Sequence, residues 1–288
     1  MDACRVARTV RGPETLPALL AALPSCRWPV LVECAYTLGE CGDPAAIPAL
    51  IARLKKEKGR FREDVVHALS SIAAAQDGRF DAEAWDAWWK KAKDTFKADP
   101  EATRKFRTTT RVQKVYIPAF SQFYSLSIRS DRFSFILDTS GSMKENGKID
   151  DLRSNAAQAI KDLSAPVGFN IIDFGGDVSM LFGYEGLGTD RKAAIDRIRA
   201  MPLSAFGTRT LDALQVGLAL QVDTLYFLSD GAPNNSQTDD WNGICHALAL
   251  ATRYRPVAVH SICFHAGPAQ ARSMERMAIE NAGTTEAQ

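Results

Sequence analysis

The stretch "FILDTSGSM", residues 135–143, decides how the rest of the chain is read. Phe135, Ile136 and Leu137 run straight into Asp138, and Thr139, Ser140, Gly141 and Ser142 follow. An apolar run that ends in small oxygen-bearing side chains has two physical readings. Asp138 can cap a helix, with Ser140 and Ser142 satisfying backbone donors. The same oxygens can instead converge on a hard cation.

The surrounding sequence favours convergence. From about residue 112 the pattern alternates between strands and helices. A segment at 114–128 alternates enough to predict a hairpin or edge pair. Strands are then expected at 132–137, 168–174, 178–182, 224–229 and 257–264. Helices are expected at 149–163, 190–200, 210–220, 238–254 and 268–281. Near-continuous apolar strands between amphipathic helices predict an α/β fold with a doubly wound, mostly parallel sheet. Ligands of such sheets bind at the carboxyl ends of the strands. Asp138, Ser140 and Ser142 lie just past one such end. A second acid, Asp230, ends a later strand in "YFLSDGAP", and Thr208 in "AFGTRTLDAL" sits on a loop entering a helix. Three separated segments thus bring only oxygen ligands to one rim, which suits Mg²⁺ with retained waters. A strand-end position also leads us to expect Asp138 to face solvent.

This set, D-x-S-x-S with a distant Thr and a distant Asp, resembles the metal-ion-dependent adhesion site of the von Willebrand factor type A family, also known from integrin inserted domains. The resemblance covers roughly residues 112–282. "SDRFSFILDTSGSM", "VDTLYFLSDGAP" and "MERMAIENAGT" look most like bacterial proteins that join helical repeats, a Trp-rich helix and this domain. The resemblance implies that Ser140, Ser142 and Thr208 ligate Mg²⁺ (or Mn²⁺ or Ca²⁺) directly, with Asp138 and Asp230 as charged supports acting partly through water. It further implies a non-enzymatic interaction module, in which an Asp or Glu carboxylate of a protein partner completes the metal's coordination. Family members usually continue past "ENAGT" into a final strand, which the remaining residues here make short or absent. A purely structural cluster, or one that binds metal too weakly to matter, stays open as an alternative.

The first part of the chain has another texture. "ETLPALLAAL" (14–23) precedes "RWPVLVECAYTLGEC" (27–41), and "AAIPALIARLKKE" (45–57) precedes "FREDVVHALSSIAAA" (61–75). Apolar residues recur at three- and four-residue steps, and "LPALLAAL" echoes "IPALIARL" at a helical-repeat offset. The pattern, especially "GDPAAIPALI", resembles a pair of HEAT repeats. In "DAEAWDAWWKKAKDTF" (81–96), Trp85, Trp88 and Trp89 share one helix face, and we read them as packing in a capping helix. The domains expected are 1–98 for these helices, 99–111 for a polar, basic linker and 112–288 for the α/β domain.

Composition excludes several classes. The chain has 288 residues, 46% hydrophobic and 24% charged, with a net charge of +1. That balance gives no electrostatic argument for nucleic acid. The Ro autoantigen family also joins HEAT-like helices to a von Willebrand A domain and binds RNA; its helical ring is much longer, and RNA binding of that kind stays open as the rival reading. No apolar run approaches the ~20 residues of a membrane span. No signal-peptide core is visible, so a cytoplasmic location is expected. The six cysteines form no C-x-x-C pair and are read as buried thiols. The four histidines are scattered, with no H-E-x-x-H, G-x-S-x-G or Walker A loop. No catalytic constellation emerges. A haloacid-dehalogenase-type phosphatase would need a second Asp where Ser140 stands.

Overall fold

The computed structural model describes residues 12–26, 30–74, 81–99, 101–103, 119–183, 186–252, 257–281 and 283–287. The chain divides into two compact units, Met1–Pro118 and Ala119–Gln288. Most of the expected linker, residues 104–111, lies outside the described residues, as do residues 114–118 of the expected hairpin.

The first unit is helical: α1 (Thr15–Ala22), α2 (Val30–Cys41), α3 (Ile47–Leu54), α4 (Phe61–Ala73) and α5 (Ala82–Ala92). The echo between "LPALLAAL" and "IPALIARL" is real in space, because α1 and α3 are the first helices of two successive pairs. α2 packs on α4, with Gly39 so close to Ala68 that an added Cβ would sit 3.0 Å from the Ala68 Cα. Leu38, Leu50, Leu54, Val65, Leu69 and Trp85 are fully buried here. Arg53 on α3 donates to the carbonyls of Leu23, Pro24 and Cys26, satisfying groups that the end of α1 leaves open. Asp81 caps α5 by accepting from the backbone N–H groups of Glu83 and Ala84. The tryptophan face is only partly core. Trp85 is buried, whereas Trp88 and Trp89 are half-buried and meet Phe96 edge-on, with ring centroids 5.4 and 6.0 Å away.

The second unit begins with the antiparallel hairpin β1 (Ser121–Phe123) and β2 (Leu126–Ile128). Its six-stranded sheet uses β3 (Arg132–Asp138), β4 (Gly168–Phe174), β5 (Val178–Met180), β6 (Thr224–Ser229), β7 (Ala258–Cys263) and β8 (Thr285–Ala287). The order is β5-β4-β3-β6-β7-β8, parallel except for β5 at one edge. The helices are α6 (Lys148–Lys161), α7 (Arg191–Ala200), α8 (Thr210–Ala219), α9 (Trp241–Thr252) and α10 (Pro268–Glu280). This is the doubly wound α/β sheet that the sequence predicts. The final strand, expected to be short or absent, is present as the three-residue β8.

Alternation along the strands assigns each side chain to a face. Phe133, Phe135 and Leu137 join Phe169, Tyr226 and Leu228 in the core shared with α6 and the hairpin. Ile136 and Leu225 point to the other face, where α8 approaches. A Cβ on Gly217 would lie 2.8 Å from Ile136 Cδ1 and 3.0 Å from Leu225 Cδ2, so only glycine lets α8 lie this close. Within the sheet the chain moves outward from β3 to β4, then returns to pair β6 with the other side of β3. The crevice between the carboxyl ends of β3 and β6 is therefore the topological switch point, where such sheets bind ligands.

Candidate metal centre

Asp138 ends β3, and Asp230 follows the end of β6, one on each side of the switch point. A continuous hydrogen-bonded chain joins them. Ser229 Oγ donates to Asp138 Oδ2 at 2.6 Å, and the Ser140 N–H donates to Asp138 Oδ1 at 2.8 Å. Ser140 Oγ and Ser142 Oγ lie 3.1 Å apart, and Ser142 Oγ donates to Asp230 Oδ1 at 2.8 Å. Since Ser142 gives its only proton to Asp230, Ser140 is the donor within the serine pair. Both hydroxyl protons then point along the chain toward Asp230, and oxygen lone pairs remain as the ligating groups.

The far side of Asp230 holds a residue that the sequence reading missed. Lys148 Nζ donates to Asp230 Oδ2 at 2.6 Å, with the two side chains 7% and 1% exposed. Lys148 opens α6 after a turn in which Asn146 and Gly147 take positive φ, +53° and +73°. A signal did exist in "ENGKIDDL": a cation in the first helical turn opposes the helix dipole and calls for a nearby anion. Ser229 and Asn234 were also missed, being short polar residues flanking Asp230 that carry no signal of their own.

Thr208 is buried and is tied to the site through backbone. Its N–H donates to the Asn234 carbonyl at 3.2 Å, and the Asn234 N–H returns a bond to the Thr208 carbonyl at 3.0 Å. The same loop is clamped to the β3 end, where the Ser204 N–H donates to the Thr139 carbonyl at 2.7 Å. Gly207 turns there at φ +82°, within 2.9 Å of Gly176 Cα for a built Cβ. Phe206, beside it, is 72% exposed.

Asp138 does not face solvent, as its strand-end position led us to expect. It is fully buried, because Ser229, the backbone of Ser140 and the Ser204 loop close over the end of β3. Burial pushes its carboxyl up to about 6, and the neighbouring Asp230 charge adds to the rise. Hydrogen bonds from Ser140 and Ser229 act against it.

The donor set fits a hard divalent cation. It consists of hydroxyls and two carboxylates, and no group of three or more His, Cys, Asp or Glu side chains is gathered among the described residues. Among the described residues, two carboxylates stand here against one ammonium, that of Lys148, which leaves one negative charge. His260, by contrast, is a packing residue: its ring stacks on Tyr226 at 5.0 Å, and its Nδ1 meets the Thr284 hydroxyl and N–H. Cys34, Cys245 and Cys263 are buried, Cys26 and Cys41 are half-buried, and Cys4 lies outside the described residues.

The family model described as HEAT repeats matches residues 2–79. No curated protein matches the chain in sequence. Among solved structures the chain is similar to the von Willebrand factor type A protein from Catenulispora acidiphila, at 17% identity and a TM-score of 0.45 over 56% of this chain and 39% of that one. It is similar to the SpRpn10 VWA domain at 13% identity and a TM-score of 0.43, over 55% and 87% of the two chains. It is also similar to proximal thread matrix protein 1 from the mussel byssus, at 16% identity and a TM-score of 0.44 over 54% and 41%. The chain thus spans well under half the length of the first and third of these. No helix among the described residues is long and apolar enough to cross a membrane.

Proposed function

We propose that the second unit is a non-enzymatic protein-interaction module, whose sheet rim binds a divalent cation and, through it, an Asp or Glu carboxylate of a partner protein. The observation that carries this reading is the unbroken chain from Asp138 through Ser140 and Ser142 to Asp230, placed at the topological switch point. Ser140, Ser142 and Thr208 are the residues that would hold Mg²⁺ or Mn²⁺, with Asp138 and Asp230 supplying charge. When bound, the ion would offer an electrophilic position to an anionic ligand. The chain's own part is to hold the hydroxyls in place: Asp138 accepts from the Ser140 backbone, Asp230 from the Ser142 hydroxyl, and the Ser204 loop closes the floor.

A thermal melt of the intact protein in EDTA and in millimolar Mg²⁺ or Mn²⁺ tests the reading. Binding to the folded state alone stabilises by RT ln(1 + [L]/Kd), about 2.7 kcal/mol at a hundredfold excess. The gain should vanish in Ser140→Ala and Ser142→Ala. A wild-type melt indifferent to both cations would refute the metal-dependent reading.

A further inference from the structure

We propose that Lys148 is a built-in counter-ion of the rim, which weakens metal binding while keeping a bound metal receptive to a carboxylate. The inference rests on the metal-dependent reading above and adds to it a residue that sets the strength of the site.

The geometry divides the labour of Asp230. Its Oδ1 faces the serine hydroxyls through Ser142, and its Oδ2 is held from the helix side by Lys148 at 2.6 Å. The ammonium therefore does not stand between the serines and the carboxylates. It lies behind Asp230, where it fixes the carboxylate's orientation and neutralises one of the two acids. The pair is almost solvent-free, so its charge is poorly screened and acts on anything placed at the hydroxyls.

Charge then sets both affinities in opposite directions. With Lys148 present, the rim carries one uncompensated negative charge. A dication bound there leaves the centre net positive, which disfavours the metal and favours an incoming carboxylate. With Lys148 neutralised, the rim carries two negative charges. The metal would be held more tightly, and the loaded centre would carry no net charge with which to attract an anion. A cation at the start of α6 also runs against the helix dipole, so helix stability does not account for this lysine. Asp150 and Asp151 occupy the same first turn, where negative charge is favourable, and Asp150 pairs with Arg153 instead.

The experiment is Mn²⁺ binding to the full chain, by calorimetry and by the loss of the free-ion paramagnetic resonance signal. Wild type is compared with Lys148→Gln, which keeps a donor for Asp230 but loses the charge, and with Lys148→Arg, which keeps the charge. Lys148→Gln should bind Mn²⁺ about tenfold or more tightly, as expected for removing a unit charge within several ångströms of a dication. Lys148→Arg should stay near wild type. Melts in EDTA report folding independently of metal, and Lys148→Gln should melt lower there, because Asp230 loses its ionic partner. Should Lys148→Gln fail to fold, Asp230→Asn is compared with Asp230→Asn/Lys148→Met, in which neither member of the buried ion pair is left without its partner. The double variant should then bind Mn²⁺ more tightly than Asp230→Asn alone. Equal or weaker binding on loss of the lysine charge, beside measurable wild-type binding, overturns the counter-ion role alone. Binding by Lys148→Gln but not by wild type supports the counter-ion role and refutes the metal-dependent function. No binding by any of the proteins overturns both.

Discussion

The two ends of the sheet both bury an aspartate among hydroxyls, yet they differ in what they ask of the surroundings. At the amino end, Asp223 precedes β6 and accepts from Ser130 Oγ and Thr224 Oγ1, each at 2.6 Å. Ser130 in turn accepts from the Arg132 N–H at 2.9 Å, and the Asp223 N–H donates to the Arg132 carbonyl at 3.0 Å. One carboxylate there pins the entries to β3 and β6 together. At the carboxyl end the same residue types recur, but two carboxylates flank one pair of serines, Asp138 accepting from the Ser140 backbone and Asp230 from the Ser142 hydroxyl, and a lysine offsets one of them. A buried aspartate with hydroxyl partners is therefore not by itself a site. What distinguishes the carboxyl end is that two acids meet at the switch point and one of them draws in a lysine.

The largest effect should come from the end that is only structural. Asp223→Ala removes the acceptor of the hydroxyls of Ser130 and Thr224, two residues only 1% and 2% exposed. Leaving buried donors unmatched costs about 1–3 kcal/mol each, so a loss of about 2–6 kcal/mol is expected for the two. Denaturant melts should show the same loss in EDTA and in Mg²⁺. A loss that Mg²⁺ reverses would erase the distinction between the two ends.

Asp138→Asn should act in the opposite direction when metal is withheld. Its carboxyl is raised by burial from 3.8 to about 6 in the folded protein. Between those two values the folded state holds a proton that the unfolded chain has released. Stability contributed by this group is thus full below pH 4 and falls as pH rises toward 6. The amide does not ionise, so in EDTA at pH 7 the variant should be the more stable, by up to about 3 kcal/mol. At pH 3 the two proteins should melt alike. A variant less stable at pH 7 would show that Ser140 and Ser229 need the carboxylate more than burial penalises it.

How far these features were legible depends on their physical origin. β4 and β6 fall where the sequence places them, at 168–174 and 224–229, because near-continuous apolar runs bounded by polar residues admit little slippage. The acids and hydroxyls of the rim could be named because they follow such runs directly. Lys148 was not, since a cation in the first helical turn is a weak cue that names no partner, and that partner lies 82 positions away. The burial of Asp138 was likewise hidden, because Ser229, which closes one of its oxygens, lies 91 positions away. β8 pairs through three residues, too few to carry a period. The tryptophan spacing gave the packing but not its depth: Trp88 packs on Trp85 and on Trp89, as one shared helix face requires, yet only Trp85 is fully buried.

A smaller effect tests the hydroxyl chain itself. Ser142→Ala removes the bond to Asp230 at 2.8 Å, while Lys148 still holds the other carboxylate oxygen. In EDTA the expected cost is about 1 kcal/mol, typical of one hydrogen bond to a charged group that keeps a second partner. In Mg²⁺ the gap from wild type should widen by whatever the cation contributes. A gap that is the same in both conditions would make Ser142 a structural residue like Ser130.

The smallest effect is expected at Phe206, the most exposed large apolar side chain on the rim, at 72%. The loop that carries it is held by polar groups rather than by its ring. Ser204 Oγ donates to the Phe206 carbonyl at 2.7 Å and accepts from the Gly176 N–H at 2.9 Å, while Ser204 N–H and Thr208 N–H clamp the loop on both sides. A side chain that keeps most of its surface in water loses little when truncated. Phe206→Ala should therefore shift stability by no more than about 0.5 kcal/mol, in EDTA and in Mg²⁺ alike. Ser204→Ala, which removes the hydroxyl's bonds to Phe206 and Gly176, should cost more, about 1–2 kcal/mol. Parallel melts of the two variants decide the matter. If Phe206→Ala proves the more damaging, the ring itself organises the Thr208 loop, and the carboxyl end of the sheet is packed like the interior rather than clamped by hydrogen bonds.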